Sequence, residues 1–272
     1  MKKICSFTFL VLLLYTLLPP SISAQESGNN LYLKVDYFNA PSDQIGNYLY
    51  VEQELWKPVH QARLDSGIIL GWSFYSTFVA EPNAPYNYIA VNVFDDFDKI
   101  DYFGLNEIVA EIYPEKDLSQ FYEQTRATRE VVRTEIWRVN DIVIDEDNTL
   151  PIGNYITKNF FDSRGYSGEH EEMEIDFWGG IHEVRVNRDI LNSWAMYTLY
   201  YPAGDARHYT YSTVDYYQKL SDMTIGAGIE LAKIAYPEAS EEDLNDNFNR
   251  TSQSRSLYKT EIWKLLDSVG YD

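Results

Sequence analysis

Two stretches of this sequence set a carboxylate, an indole, an imidazole and a guanidinium at the same spacing. Glu52, Trp56, His60 and Arg63 form Glu-x-x-x-Trp-x-x-Val-His-x-x-Arg, and Glu174, Trp178, His182 and Arg185 form Glu-x-x-x-Trp-x-x-Ile-His-x-x-Arg. A carboxylate or imidazole moves a proton, and an arginine beside it holds an anionic or enolate oxygen. On a helix with Tyr48 set to zero, the apolar face of Ile45, Tyr48, Leu55, Val59 and Ala62 centres at about 20°. Glu52 and Arg63 fall inside that face at about 40° and about 60°, with Trp56 near about 80° and His60 at its edge near about 120°. In the second stretch Phe177, Ile181 and Val184 mark the face, and His170 stands where Tyr48 stood. Tyr48, Trp56, Trp178 and His170 are therefore the expected ligand-contacting side chains, and Glu52, His60, Arg63, Glu174, His182 and Arg185 the catalytic candidates.

Glu52 and Arg63 lie about 16 Å apart along the axis, too far to neutralise each other within the helix. A buried, unpaired charge costs several kcal/mol, so each either pairs across the fold or faces a wet cavity. Two readings stand: a packing stripe bonded to the sheet or to Arg129 and Arg133 of a later helix, with Trp56 as core, or a pocket. Pro58 in one copy and Gly179-Gly180 in the other predict a bend beside the stripe.

These stretches belong to a longer duplication. Thr134-Glu135-Ile136-Trp137 recurs as Thr260-Glu261-Ile262-Trp263, Tyr113-Pro114-Glu115 as Tyr236-Pro237-Glu238, and Asp117, Thr125 and Arg129 as Asp243, Thr251 and Arg255. An ordered series of this kind marks an internal repeat, residues 31–144 and 153–272, joined by an acidic linker over 145–152 that ends in Pro151-Ile152. Within the first copy, 31–38 reads as a strand, 43–64 as a helix, and 68–79 and 86–97 as two strands about the turn Pro82-Asn83-Ala84-Pro85. Then come a short helix over 105–112, a helix over 117–133 capped by Asp117, and a strand over 135–144. In the second copy Ser240 and Asp243 fit a capping box. The order β-α-β-β-α-β is that of a ferredoxin-like unit, whose sheet has helices on one face and an apolar face to be covered by the other copy.

Composition narrows the classes of partner. The chain has 272 residues with 42 acidic against 22 basic, a formal charge of −20, which argues against nucleic acid or an anionic membrane surface. Aromatics make up 15%, enough to line a cavity or a broad interface. Lys2 and Lys3, the apolar run over 7–18 and the small residues Ser21 to Ala24 read as a signal peptide over 1–24, so the mature protein is expected to be exported to the periplasm or medium. The single cysteine, Cys5, falls within that segment, leaving no disulfide framework, thiol nucleophile or cysteine-ligated metal.

Other chemistry is thin. Asp145, Asp147 and Thr149 lack the Gly and Glu of a calcium loop. His60 and His182 fall in different copies, so no shared metal site is expected. Gly226-Ala227-Gly228 lacks the third glycine of a dinucleotide loop, and no phosphate loop or Gly-x-Ser-x-Gly elbow occurs. Neither a metal nor a cofactor is expected.

Two such units, with the Glu-x-x-x-Trp-x-x-Val-His-x-x-Arg helix in each, resemble the dimeric α+β barrel superfamily, which includes antibiotic-biosynthesis monooxygenases, haem-degrading monooxygenases, EthD-like and NIPSNAP-like proteins. The resemblance implies an α+β fold of two ferredoxin-like repeats packed sheet to sheet as a pseudo-dimeric barrel, monomeric by fusion, with pockets between helices and sheet. Several members of that group act on aromatic substrates without metal or organic cofactor. Its haem-degrading branch implies a Trp followed directly by His on a helix, and no such pair occurs here. The leading expectation is a small apolar or aromatic ligand in one or both pockets. The alternatives are a cofactor-independent monooxygenase or isomerase, with Glu52 or His60 as base and Arg63 as oxyanion partner, and a noncatalytic protein-interaction module.

Overall fold

Alternation along the strands decides where each side chain goes. In the computed structural model, which describes residues 31–102, 104–145, 151–204 and 207–271, β1 (Tyr32–Asn39) sends Leu33, Val35 and Tyr37 into one buried cluster and Phe38 into another. A strand's two-residue period serves two cores in this way. The signal-peptide reading and most of the linker lie outside the described residues.

The remaining strands are β2 (Gly71–Val79), β3 (Tyr88–Phe94), β4 (Glu130–Ile144), β5 (Tyr155–Asp162), β6 (Ser193–Tyr201), β7 (Tyr211–Tyr217) and β8 (Ser256–Val269). All pairings are antiparallel, and they close in the order β1-β3-β2-β8-β5-β7-β6-β4. The protein is thus an α+β fold around an eight-stranded closed barrel. The two four-stranded sheets do more than lie face to face: β2 is bonded to β8, and β4 to β6. The long strands β4 and β8 make this closure, each spanning one neighbour from its own half and one from the other.

The barrel interior is aromatic and aliphatic, with Tyr37, Trp137, Phe160, Tyr197, Tyr216 and Trp263 among its buried residues. It explains the repeated Thr-Glu-Ile-Trp. Thr134 and Thr260 donate to Asp36 and Asn159 on the neighbouring strand, 2.5 and 2.7 Å. The next residue points inward, where Glu135 accepts from the Trp137 indole and Tyr37, and Glu261 accepts from the Trp263 indole and Tyr86. Each buried carboxylate is therefore satisfied by several donors, as burial of such a group demands.

Helices cover the outside: α1 (Ile45–Tyr50), α2 (Lys57–Asp65), α3 (Leu105–Ile112) and α4 (Leu118–Thr128) in the first half, and α5 (Ser167–Glu172), α6 (Gly179–Val186), α7 (Ile229–Ala235) and α8 (Glu241–Ser254) in the second. Asp117 accepts from the backbone N–H groups of Ser119 and Gln120, and Ser240 with Asp243 completes a capping box. The expected helix over 117–133 is shorter than its polarity pattern suggests. It stops at Thr128, Arg129 is extended, and Val131 and Val132 belong to β4. β-branched residues fit a pleated strand better than a helix, and here Val131 pairs with Phe38 of β1 while Val132 falls at the bulge beside it. Arg129 and Arg133 therefore project from a strand and its entrance, not from a helix.

Candidate functional site

The helix carrying the motif is interrupted by a π-helical segment in both halves, Val51–Trp56 between α1 and α2 and Met173–Trp178 between α5 and α6. Single π turns inside α-helices recur at functional sites. Local sequence chemistry explains how the widened turn is held. Pro58 has no N–H for the carbonyl behind it, and the Tyr113 hydroxyl reaches the carbonyls of Glu54 and Leu55 at 3.2 and 2.9 Å. In the second half Tyr236 meets the carbonyls of Asp176 and Phe177 at 2.6 and 2.8 Å. A Cβ on Gly180 would stand 2.5 Å from that hydroxyl, so glycine makes room for it. The repeated Tyr-Pro-Glu thus anchors the bend that Pro58 and Gly179-Gly180 predict.

Glu52, Trp56, His60 and Arg63 all face one cavity of about 290 Å³ between this helix and the outer face of β1, β2 and β3. The twin set, Glu174, Trp178, His182 and Arg185, faces a cavity of about 230 Å³ over β5, β6 and β7. Tyr48 and His170, the other expected ligand contacts, are not among the residues lining these cavities. Both are wholly buried among aromatic rings, Tyr48 against Phe74 and Tyr88, His170 against Phe161 and Tyr211.

Each carboxylate of the motif has found a cationic partner from outside its helix. Glu52 is bonded to Arg129, whose guanidinium also lies 3.9 Å above the Phe38 ring. Glu174 pairs in the same way with Arg255, which lies over Phe161 at 4.2 Å. Burial pushes the Glu52 carboxyl above the usual range while Arg129 pulls it back. Burial draws Arg63 and Arg255 down to about 10, still protonated at neutral pH.

The imidazoles are held edge and face. His60 stacks on Trp72 with centroids 4.6 Å apart, and its Nδ1 lies 2.9 Å from Arg63 Nη1. Arginine only donates, so Nδ1 accepts and the neutral ring carries its proton on Nε2. His182 repeats this with Trp194 at 4.7 Å and Arg185 at 3.1 Å. Desolvation first, and then the adjacent arginine, drives both rings well below the ordinary histidine value. Each is a hydrogen-bond donor at neutral pH, so between the two candidate bases of the first half Glu52 is the better placed and His60 suits an oxygen acceptor. Trp56 and Trp178 are fixed through their indole N–H groups to Thr125 and Thr251, at 3.0 and 3.1 Å.

Lys158 is the titratable group that the motif reading missed. It points into the barrel with its Nζ 4.4 Å from the Trp137 ring centre, 5.1 Å from Phe160, 5.3 Å from Tyr197 and 5.8 Å from Trp263. Desolvation lowers it to about 7, with Arg133 and Lys259 acting in the same sense and Glu135 and Glu261 opposing. Alternation along 155–162 signals an inward lysine at this position, because its neighbours in the same phase, Ile156 and Phe160, are apolar.

Among solved structures the chain is similar to a protein from Fusobacterium nucleatum described as a monooxygenase, at 12% identity, covering 88% of this chain and 94% of that one, TM-score 0.50. The two share a fold, the α+β arrangement around a closed eight-stranded barrel. Other similar structures are a protein described as a chlorite dismutase, at 10% identity and TM-score 0.48, covering 88% and 95%, and a haem-binding protein from Thermus thermophilus, at 8% identity and TM-score 0.47, covering 88% and 92%. No protein-family model matches the chain, and no curated protein matches it in sequence.

The two cavity histidines do not suit a haem iron. An axial histidine gains ligand strength by donating its second N–H to a carboxylate or carbonyl. His60 and His182 do the reverse, accepting from a cation at that nitrogen. Among the described residues no group of three or more His, Cys, Asp or Glu is placed to hold a metal ion, and no helix is long and apolar enough to cross a membrane.

Proposed function

We propose that this is an exported protein, periplasmic or extracellular, built from two ferredoxin-like repeats fused as a pseudo-dimer and monomeric, which binds a small, flat, largely apolar or aromatic molecule between helices and sheet. The observation that carries the reading is the cavity of the first half. Its volume of about 290 Å³ sits beside the indoles of Trp56 and Trp72, with Glu52, His60 and Arg63 converging on it. Ligand sites combine apolar walls with placed polar groups at volumes from roughly 300 Å³ upward, and here indoles and Phe38 share the lining with a larger set of polar and charged side chains. A monomer is supported by the closed barrel, which leaves no sheet edge for a second chain. The formal charge of −20 disfavours nucleic acid and anionic lipid as partners.

A catalytic version of the same site is a cofactor-independent monooxygenase or isomerase. Glu52 would take a proton from the bound molecule, and Arg63 with the Nε2–H of His60 would hold the oxygen on which charge develops. The noncatalytic interaction module is the reading left if the cavities take no small molecule. The test is native mass spectrometry of the mature protein purified from its own compartment, followed by denaturation. A small aromatic or apolar compound released on unfolding is the expected result; a mass equal to the bare chain, with no aromatic compound binding on addition, would refute ligand binding.

A further inference from the structure

Although the two cavities share their frame, they differ in how the arginine is compensated. Asn92 on β3 and Asp215 on β7 occupy matching positions, paired respectively with Trp72 and Trp194 on the adjacent strand. Arg63 donates to the neutral Asn92 amide oxygen at 2.9 Å and to neutral His60. Arg185 instead meets the Asp215 carboxylate at 3.5 Å and the Tyr217 hydroxyl at 3.0 Å. The acid has changed strands: the first cavity has Asp36 on β1 where the second has Asn159. Asp36, engaged by Lys34 at 3.8 Å and Thr134 at 2.5 Å, reaches Arg63 only through its field across the cavity and makes no contact with it, and Glu52 is held by Arg129. Asp101, the other carboxylate of the first cavity, is exposed to solvent. Arg63 is therefore a part-buried cation with only neutral acceptors in contact, while Arg185 is 3% exposed and neutralised by its neighbour.

We infer that the first cavity takes a planar oxyanion, a molecule whose flat apolar body carries one carboxylate, phenolate or enolate oxygen against Arg63, and that the second cavity, closed to anions by Asp215, does not. This rests on the proposed ligand-binding reading and gives that ligand its charge. An oxyanion supplies Arg63 with the charge-assisted partner that Asn92 withholds, and its second hydrogen bond comes from the His60 Nε2–H. In the second cavity the same anion would meet a carboxylate already seated on the arginine, so the neutral counterpart binds there at least as well.

The experiment compares benzoate with its neutral isostere benzamide by calorimetric titration of the mature protein and of the variants N92D and D215N, after cooperative unfolding of each variant is verified. The expected result is one benzoate site in the parent, at least tenfold tighter than benzamide. N92D should lose that preference while benzamide affinity changes less than threefold, and D215N should raise the benzoate stoichiometry from one to two. Equal affinity for benzoate and benzamide in the parent, or an unchanged preference in N92D, overturns the inference and leaves ligand binding intact. Binding of neither probe at millimolar concentration overturns both. Should D215N unfold, N92D and R63Q, which both remove benzoate selectivity under this reading, decide the matter alone.

Discussion

Replacing Lys158 by Met should make the protein more stable at neutral pH and flatten its stability between pH 7 and 9.5. The unfolded lysine holds its proton up to its ordinary value of 10.5, whereas the folded one releases it near 7 because the barrel interior desolvates the ammonium. Between those two values the unfolded chain binds more protons, so stability rises with pH. The penalty for keeping the amine inside is about 4 kcal/mol at pH 7 and falls to about 1 kcal/mol at pH 9.5, a gain of about 3 kcal/mol across the window. Few other groups interfere there. The buried histidines His60, His170 and His182 titrate near 6.5 only when unfolded and lower still when folded. The tyrosines of the barrel leave neutrality above 10, and Arg63 and Arg255 do so from about 10 upward. Met keeps the length of the side chain and removes the charge, so the difference between the two urea-unfolding curves, measured at half-unit steps from pH 7 to 9.5, isolates Lys158. Two forces oppose the prediction: cation–π contacts of about 0.5–2 kcal/mol from the surrounding rings, and the field of Glu135 and Glu261. Parallel curves for the two proteins would mean that these outweigh desolvation, and the reasoning would fail.

Changing Glu52 to Gln should cost about 3 kcal/mol in urea unfolding, because it leaves Arg129 buried without its carboxylate, and E52Q/R129M should recover more than half of that loss; a double variant no better than E52Q would refute the pairing. Y113F should lose about 1 kcal/mol and speed amide exchange across Val51–Trp56, since the Glu54 carbonyl loses the donor that Pro58 cannot supply; unchanged exchange would detach Tyr113 from the π segment. Gly270 has φ of 83° and a Cβ there would lie 2.5 Å from the Leu70 carbonyl, so G270A should cost about 2 kcal/mol by thermal unfolding, and a neutral substitution would show that this chain end is loosely docked.

Most of the strand layout was legible because two-residue alternation and the internal repeat reinforce each other: a strand misread in one copy is corrected by its twin. Barrel closure was less so. β4 and β8 are each long enough to pair with both halves, but nothing in their composition distinguishes an edge that stays free from one that meets the other sheet. A regular α-helical wheel gathers the motif stripe on one face but gives no sign of the π segments, because no residue type encodes them. Pro58 and Gly180 signalled a disturbance without its form. Polar residues run on past Thr128, so the pattern extends the helix over Arg129, and the Val131-Val132 pair near the start of β4 is too short to oppose it. Tyr48 and His170 share the phase of the stripe and still miss the cavity, since they lie a turn before the widened segment, where the helix is packed flush against the sheet.

What repeats and what differs within the duplication point to different things. The repeated elements are the Glu–Arg pair, the Trp–Thr hydrogen bond, the Arg–His contact and the tyrosine on the π carbonyls, and each holds backbone or fixes a ring. They are what either half needs to keep a helix bent over a sheet, which is why a motif that looks catalytic is also structural. Some of the differences fall on groups the shape does not require, among them Asp36 against Asn159 and Asn92 against Asp215. A carboxylate and an amide occupy nearly the same volume, so exchanging them leaves the packing alone and changes only which cavity has an arginine free for an anion. Under the proposed binding reading, a ligand's charge is therefore decided at Asn92 and Asp215, which differ between the cavities, and not at the groups that repeat.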